Sequence, residues 1–125
     1  MSLPRNFTEY IWVNQSLTAL VGTLTSEWFD ADDLNGAQFF IEYAGTATVN
    51  LTAECTAIGG AQKRIQSRVD WSKDYTVKNG CANAEGFVAV PALPFDRPFG
   101  GYRVKLTTDA DITGLRVAVC RNVGS

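Results

Sequence analysis

The sequence predicts an all-β domain, an antiparallel two-sheet β-sandwich of about eight strands with a jelly-roll-like winding. The first observation is that apolar and polar residues alternate in many short segments, which is the period of strands with one buried face. The second is the spacing of tight-turn signals such as Asn35-Gly36, Gly59-Gly60 and Asn79-Gly80, which suits sandwiches and barrels. No segment shows a convincing helical stripe. A closed barrel is the alternative architecture.

The clearest alternation lies between residues 37 and 55. The apolar positions, which we expect to face the core, are Ala37, Phe39, Ile41, Tyr43, Ala47, Val49, Leu51, Ala53 and Cys55. The positions between them are mostly polar and we expect them to face outward, among them Gln38, Phe40, Glu42, Asn50 and Thr52. Residues 44–46 break the pattern, so the sequence predicts two strands joined by a turn.

We expect these two strands to pair as a hairpin. A three-residue loop sets Tyr43 opposite Ala47 and keeps one face of the pair apolar, whereas a two-residue loop sets Ile41 opposite Thr48 and mixes the faces. The sequence therefore predicts the three-residue loop. In that register Phe40 is the one large apolar residue on the outer face, and we expect an arm, a loop or a neighbouring subunit to cover it.

Further strands are predicted on both sides of this pair. They cover residues 17–25, 64–71, 75–78, 87–90, 102–107 and 115–119, which gives a single domain from residue 17 to residue 125. Residues 1–16 differ, because Phe7, Tyr10 and Trp12 form an apolar group without a clean period. This segment is either a first strand packed on its own domain or an N-terminal arm that docks on a neighbouring subunit.

Composition argues against several function classes. A net charge of −2 does not suit a nucleic-acid binder, because phosphate binding needs a concentrated basic surface. No apolar run approaches the length of a membrane span, so we expect no membrane partner. The chain has no histidine, which removes the commonest general base, the Ser-His-Asp triad and most zinc sites. We therefore expect neither an enzyme nor a bound cofactor.

Two kinds of reactive side chain need separate consideration. Paired carboxylates serve glycoside hydrolysis in other proteins, but we expect Glu42 and Glu54 to lie on a solvated outer face. The three cysteines are an odd number without a C-x-x-C pair, which is not the pattern of a disulfide scaffold or a zinc site. Strand parity places Cys55 inward and Cys120 outward, so we expect free thiols and no bridge between these two.

An acidic cluster precedes the first long alternating segment. Asp30, Asp32 and Asp33 are candidate calcium ligands, because calcium favours several carboxylate oxygens in one loop. Leu34 stands where an EF-hand loop would need a ligand, so a turn or helix-capping role for the aspartates is the reading that we favour. No metal site is therefore predicted.

Several aromatic residues lie in or near loops, where they are candidates for a sugar-binding platform. They are Trp71, Tyr75, Phe95 and Phe99. In a small sandwich most such residues belong to the core or its end caps, and that reading is preferred.

Three segments of the sequence carry a resemblance to known proteins. Residues 26–30 contain Trp28-Phe29-Asp30, residues 33–39 contain Leu34-Asn35-Gly36, and residues 45–54 begin with Gly45-Thr46-Ala47-Thr48-Val49. This combination resembles small β-sandwich virion proteins of tailed bacteriophages, in which a Trp-x-Asp … Leu-x-Gly loop precedes paired strands. Such proteins include capsid decoration (cement) proteins and head-fibre modules. Gly59-Gly60 and Trp71 are looser matches further along the chain.

The resemblance implies a structural protein on the capsid surface of a virion, with no catalysis and no cofactor. Decoration proteins of this kind commonly form homotrimers that bind the major capsid protein, or another virion protein, and hold capsomers together. Aromatic residues and arginines are enriched at interface hot spots, so the candidate interface residues are Arg5, Phe7, Tyr10, Trp12, Phe40, Phe95, Arg97 and Phe99. A carbohydrate-binding module of a phage fibre or a glycosidase is the alternative.

Overall fold

A computed structural model describes residues 5–20, 22–31, 34–59, 68–78, 88–90 and 99–123 of the chain. Within these residues the backbone forms strands that pair antiparallel throughout. The strands are β1 (Arg5–Leu17), β2 (Thr23–Thr25), β3 (Phe29–Asp30), β4 (Leu34–Ala44), β5 (Thr48–Thr56), β6 (Trp71–Lys78), β7 (Val88–Val90), β8 (Gly101–Thr108) and β9 (Ile112–Val123). The described residues contain no helix that is long and apolar enough to cross a membrane.

The strands form two sheets. Sheet I has the order β1-β9-β4-β7, and sheet II has the order β2-β8-β5-β6, with β3 also paired to β8. Since β2 and β3 follow one another along the same edge of β8, they act as one interrupted strand, and the described residues then occupy eight strand positions. The first position pairs with the last, the second with the seventh, the third with the sixth and the fourth with the fifth. This nested order agrees with a jelly-roll winding, and the predicted two-sheet β-sandwich is confirmed.

The interruption between β2 and β3 is a bulge. Three residues, 26–28, stand opposite two residues of β8, so the edge strand has one extra residue there. The Ser26 amide donates to the Val104 carbonyl at 2.9 Å, and the Ser26 hydroxyl accepts from the Val104 amide at 3.0 Å. The side chain of Ser26 thus replaces a missing backbone acceptor. The extra residue leaves Trp28 free to turn onto the outer face of sheet II.

The core lies between the sheets and is filled by the inward faces of the long strands. Its largest fully buried side chains are Tyr43, Tyr102, Phe39, Ile41, Leu51, Leu106, Ile112, Leu115, Val49, Val104, Val117 and Val119. All nine positions that the sequence predicts to face inward between residues 37 and 55 are buried. The period of two therefore identified the inner face of β4 and β5 correctly.

The predicted hairpin between these two strands is wrong. β4 pairs with β7 and β9 in sheet I, whereas β5 pairs with β6 and β8 in sheet II. The residues between them cross from one sheet to the other. Alternation specifies which side chains of a strand are buried. It does not specify whether the next strand along the chain lies beside it in the same sheet or opposite it in the other sheet, because both arrangements bury the same face. The hydroxyl of Tyr43 spans this crossing, since it lies 2.6 Å from the Ala47 carbonyl and 3.1 Å from the Val77 carbonyl.

Two other strand boundaries also differ from the prediction. The proposed strand at residues 17–25 is divided, because β1 ends at Leu17 and β2 begins at Thr23. Between them the Gly22 amide donates to the Thr18 carbonyl, and Gly22 adopts a φ of 74°, which favours glycine. Trp71 begins β6 instead of ending a strand, and residues 64–67 of that predicted strand lie outside the described residues.

The two cysteines that the structure describes occupy different environments. Cys55 is buried on the inner face of β5, and Cys120 is partly buried on the outer face of β9; both are free thiols. Burial raises the pKa of Cys55 to about 12. The predicted inward and outward directions are confirmed for both residues, and Cys81 lies outside the described residues.

The Tyr43 hydroxyl is expected to stabilise the crossing between the sheets. Replacing Tyr43→Phe removes a donor shared by two buried carbonyls, so the free energy of unfolding should fall by about 1–3 kcal/mol. Urea unfolding measures the change, and Tyr75→Phe, at a half-buried position on β6, is the matched control with an expected change of less than about 0.5 kcal/mol. Equal losses in the two variants would contradict the proposed role of the hydroxyl.

The two described thiols are expected to react at different rates. At pH 8 Cys55 remains protonated because its pKa is about 12, and the thiolate is the reactive form. In a Cys81→Ser background, Ellman's reagent should therefore modify one thiol per folded chain, and Cys120→Ser should abolish that reaction. Two thiols reacting at similar rates in the folded chain would refute this assignment; in urea both should react.

Candidate interaction surface

An aromatic row crosses the outer face of sheet I. Tyr10 of β1 pairs with Ala118 of β9, Ala118 pairs with Phe40 of β4, and Phe40 pairs with Ala89 of β7. Because the neighbouring residues Phe39 and Val119 point into the core, Tyr10, Ala118 and Phe40 stand on the opposite, outer face. Tyr10 is 49% exposed and Phe40 is half-buried, whereas Ala118 retains 2% of its surface between them. We call Tyr10, Ala118 and Phe40 the outer row.

Charged residues lie beside the outer row. Glu42, two residues beyond Phe40, pairs across the sheet with Arg116, and their side chains form an ion pair. Glu42 is buried to 5% exposure, while 43% of the Arg116 side chain is exposed. The expected solvated position of Glu42 is therefore wrong, because strand parity fixes the direction of a side chain but not what covers it. The pair gives the aromatic row a charged border.

A second ion pair lies on the outer face of sheet II. Arg103 donates to Glu54 at 2.7 Å, and the guanidinium lies 4.3 Å from the centre of the Trp28 ring. The side chains of Arg103 and Glu54 are 18% and 12% exposed, so the expected solvation of Glu54 is also wrong. Trp28, delivered by the bulge between β2 and β3, stacks against the guanidinium of this pair and is itself buried. A stacked guanidinium and a charge-assisted hydrogen bond fix this edge on the sheet.

The two buried carboxylates do not form a glycosidase site. Glu42 lies on the outer face of sheet I and Glu54 on the outer face of sheet II, so the sandwich separates them. Stacked sheets lie about 10 Å apart, and these side chains point away from each other, which exceeds the roughly 5–9.5 Å that glycoside hydrolysis requires.

A cleft of about 340 Å³ opens between the edge of sheet I at β1 and the edge of sheet II at β2 and β3. Its walls include Glu9, Tyr10, Trp12, Ser26, Glu27 and Phe29. Two of these wall residues also contact sheet residues outside the lining: Glu9 pairs with Arg121 at 2.6 Å, and the Phe29 ring packs 5.4 Å from the Tyr102 ring. Trp12 enters the wall because the β1–β9 register shifts between Tyr10 and Trp12, which directs both Ile11 and Trp12 towards the core.

The described candidate interface residues divide between surface and core. Tyr10 and Phe40 belong to the outer row, whereas Trp12 and Phe99 are partly buried against the core. Arg5 and Phe7 lie in β1, but the structure does not describe their side chains. Phe95 and Arg97 lie outside the described residues. Sequence reasoning missed Ala118, Glu9 and Glu27, because the register of β1 with β9 and the bulge before β3 place them, and neither can be read from the sequence.

The structure gives little support to the candidate calcium ligands and to the candidate sugar-binding aromatic residues. Asp30 lies in β3 opposite Gly101 and is exposed, while Asp32 and Asp33 lie outside the described residues. Among the residues that the structure describes, no group of three side chains could hold a metal ion. Three of the proposed platform aromatics, Trp71, Tyr75 and Phe99, pack partly buried against the core.

Comparison with known proteins identifies fold relatives. No family model matches the chain, and no curated protein matches its sequence. VP2 in a subviral particle of infectious bursal disease virus aligns over 96% of this chain and 33% of its own, with a TM-score of 0.64 and 10% identity. Mutant VP2 in derived T=1 particles of that virus aligns with a TM-score of 0.58 and 11% identity, over 96% of this chain and 32% of its own.

A relative of similar length comes from a prophage. YomS, a protein derived from the SPBc2 prophage, aligns over 96% of both chains with a TM-score of 0.50 and 9% identity. The present chain therefore spans about a third of the VP2 chains and nearly all of YomS. At such low identity the likeness shows a shared fold, a β-sandwich that also occurs in viral particle proteins.

Proposed function

We propose that this chain is a structural virion protein of a tailed bacteriophage, a capsid decoration protein on the capsid surface. In this proposal it associates with itself as a homotrimer and binds the major capsid protein or another virion protein. It carries out no catalysis and needs no cofactor. The resemblance of residues 26–71 to phage decoration proteins motivates the trimer and the capsid location, and the outer row supplies the contact surface.

The outer row is the observation that carries the proposal. A half-exposed tyrosine and a half-buried phenylalanine flank a small residue, and a carboxylate–guanidinium pair borders them. Aromatic residues surrounded by polar groups are the usual composition of an interface centre and its rim. In a homotrimer the outer row of each copy can pack against a neighbouring copy around the three-fold axis, so the same contact is repeated three times.

The fold relatives support a role in particles. VP2 is found in subviral and T=1 particles, and YomS is derived from a prophage. A sandwich of this kind suits repeated weak contacts, because symmetry on a particle multiplies each contact into strong overall binding. The ion pairs Glu42–Arg116 and Glu54–Arg103 join neighbouring strands, which fits a structural role for these charges.

Disrupting the outer row is expected to weaken self-association. Tyr10→Lys places a charge in the proposed contact, and the trimer dissociation constant should rise by at least about tenfold. Sedimentation equilibrium over a range of concentrations measures this change, with the wild type expected at the mass of three chains. Thr76→Lys, on the exposed outer face of sheet II, is the matched control and should leave the mass unchanged.

Two results would overturn the proposed association. One is a wild-type chain that stays monomeric at every concentration; the other is equal weakening by both lysine variants. The reactivity of Cys120 gives a second measurement, because this thiol lies two residues from Ala118 on the same face. Its modification should slow as the concentration rises and the trimer forms, and it should not slow in Tyr10→Lys.

A further inference from the structure

The cleft between the two sheet edges has a composition unlike that of the outer row. Two acidic residues, Glu9 and Glu27, and three aromatic residues, Tyr10, Trp12 and Phe29, line this space, and none of its lining residues that the structure describes is a lysine or an arginine. A volume of about 340 Å³ lies at the lower end of the range for ligand sites, roughly 300–1,000 Å³. The cleft therefore suits a single long side chain or a small ligand.

The charges of the cleft favour a cation. Glu9 is already paired with Arg121, which compensates one of the two negative charges. Glu27 is exposed and forms no ion pair with the residues that the structure describes. Among the described residues the Glu27 carboxylate thus has no ion-pair partner, and the same cleft is lined by three aromatic residues, a residue type whose ring faces also attract cations. Both effects select the same chemistry, a guanidinium or an ammonium group.

The backbone beside the cleft indicates that the cationic group belongs to an extended polypeptide segment. β1 is the outermost strand of sheet I, and only β9 pairs with it among the described strands. Its ladder with β9 is regular from Arg5 to Tyr10, and the register shifts begin there, beside the cleft. A regular outer edge exposes main-chain donors and acceptors, to which an extended segment of another protein can add as a strand.

We infer that the cleft binds the arginine or lysine side chain of an extended segment of a partner protein, and that this segment adds to the regular part of β1. The segment contributes main-chain hydrogen bonds, while Glu27 and the aromatic walls select the basic side chain. This goes beyond the proposed self-association, because it assigns a different surface and a different partner chemistry; the two surfaces share only Tyr10.

The inference can be tested with defined peptides. The probe is acetyl-Thr-Val-Arg-Val-Thr-amide, compared with the same peptide carrying Gln in place of Arg, in NMR titrations that follow the Trp12 indole signal, assigned with Trp12→Phe. The Arg peptide should bind at least about tenfold more tightly than the Gln peptide, since a charge-assisted hydrogen bond is lost. Glu27→Gln should remove that difference.

The matched control removes a charge at a distance from the cleft. Asp74→Asn, on β6 at the far edge of sheet II, keeps the oxygen that accepts the Thr52 hydroxyl at 2.6 Å and should leave the peptide affinities unchanged. Glu27→Lys provides a second variant, which should prefer a peptide carrying Glu in place of Arg. Near-ultraviolet circular dichroism checks that each variant is folded.

Three results would overturn the inference. They are equal binding of the Arg and Gln peptides, equal loss in Glu27→Gln and Asp74→Asn, and binding of N-acetylarginine methylamide as tight as that of the peptide. The last result would indicate a site for a small cation instead of a strand. Sedimentation of the same samples separates this inference from the proposed function. A trimer that fails to bind the peptide refutes only peptide binding in the cleft, and a monomer that binds the peptide refutes only the proposed self-association.

Discussion

The packing of two inward faces against each other is the interaction on which the rest of this structure depends. Phe39 and Ile41 of sheet I and Leu51 and Leu106 of sheet II have no exposed surface. Each such side chain stabilises the fold by about 1.5–3 kcal/mol when buried. A slip of one residue in β4 would turn its apolar side chains to solvent and bring Phe40 and Glu42 inward. Burial of the core therefore also fixes which residues form the outer row.

The outer faces of sheet I and sheet II differ in composition, although the two sheets share one core. Sheet I presents Tyr10 and Phe40 around Ala118, so its surface is suited to a partner. On sheet II the aromatic residue Trp28 is withdrawn beneath Arg103, and the rows beyond it are rich in threonine, such as Thr23 and Thr107. The proposed contact face is therefore the outer face of sheet I, whereas these threonine rows give the outer face of sheet II a polar surface.

The errors of sequence interpretation have one physical origin. The hairpin was expected because β4 and β5 are adjacent in the chain and share a pattern, but the same pattern serves strands that face each other across a core. Glu42 and Glu54 were expected in solvent because they occupy outward positions, yet each lies beside an arginine on a neighbouring strand. Outward direction does not imply solvation when a cross-strand partner of opposite charge is available.

Local chemistry in the sequence determined the fold class, the inner face of residues 37–55 and the separation of Cys55 from Cys120, because side-chain alternation is a property of each strand alone. Only the tertiary structure decided which strands are neighbours. That decision assembled Tyr10, Ala118 and Phe40 into one row and placed Glu9 across a cleft from Glu27. These residues are far apart in the chain, and contacts between them depend on the winding of the two sheets, which no local pattern specifies.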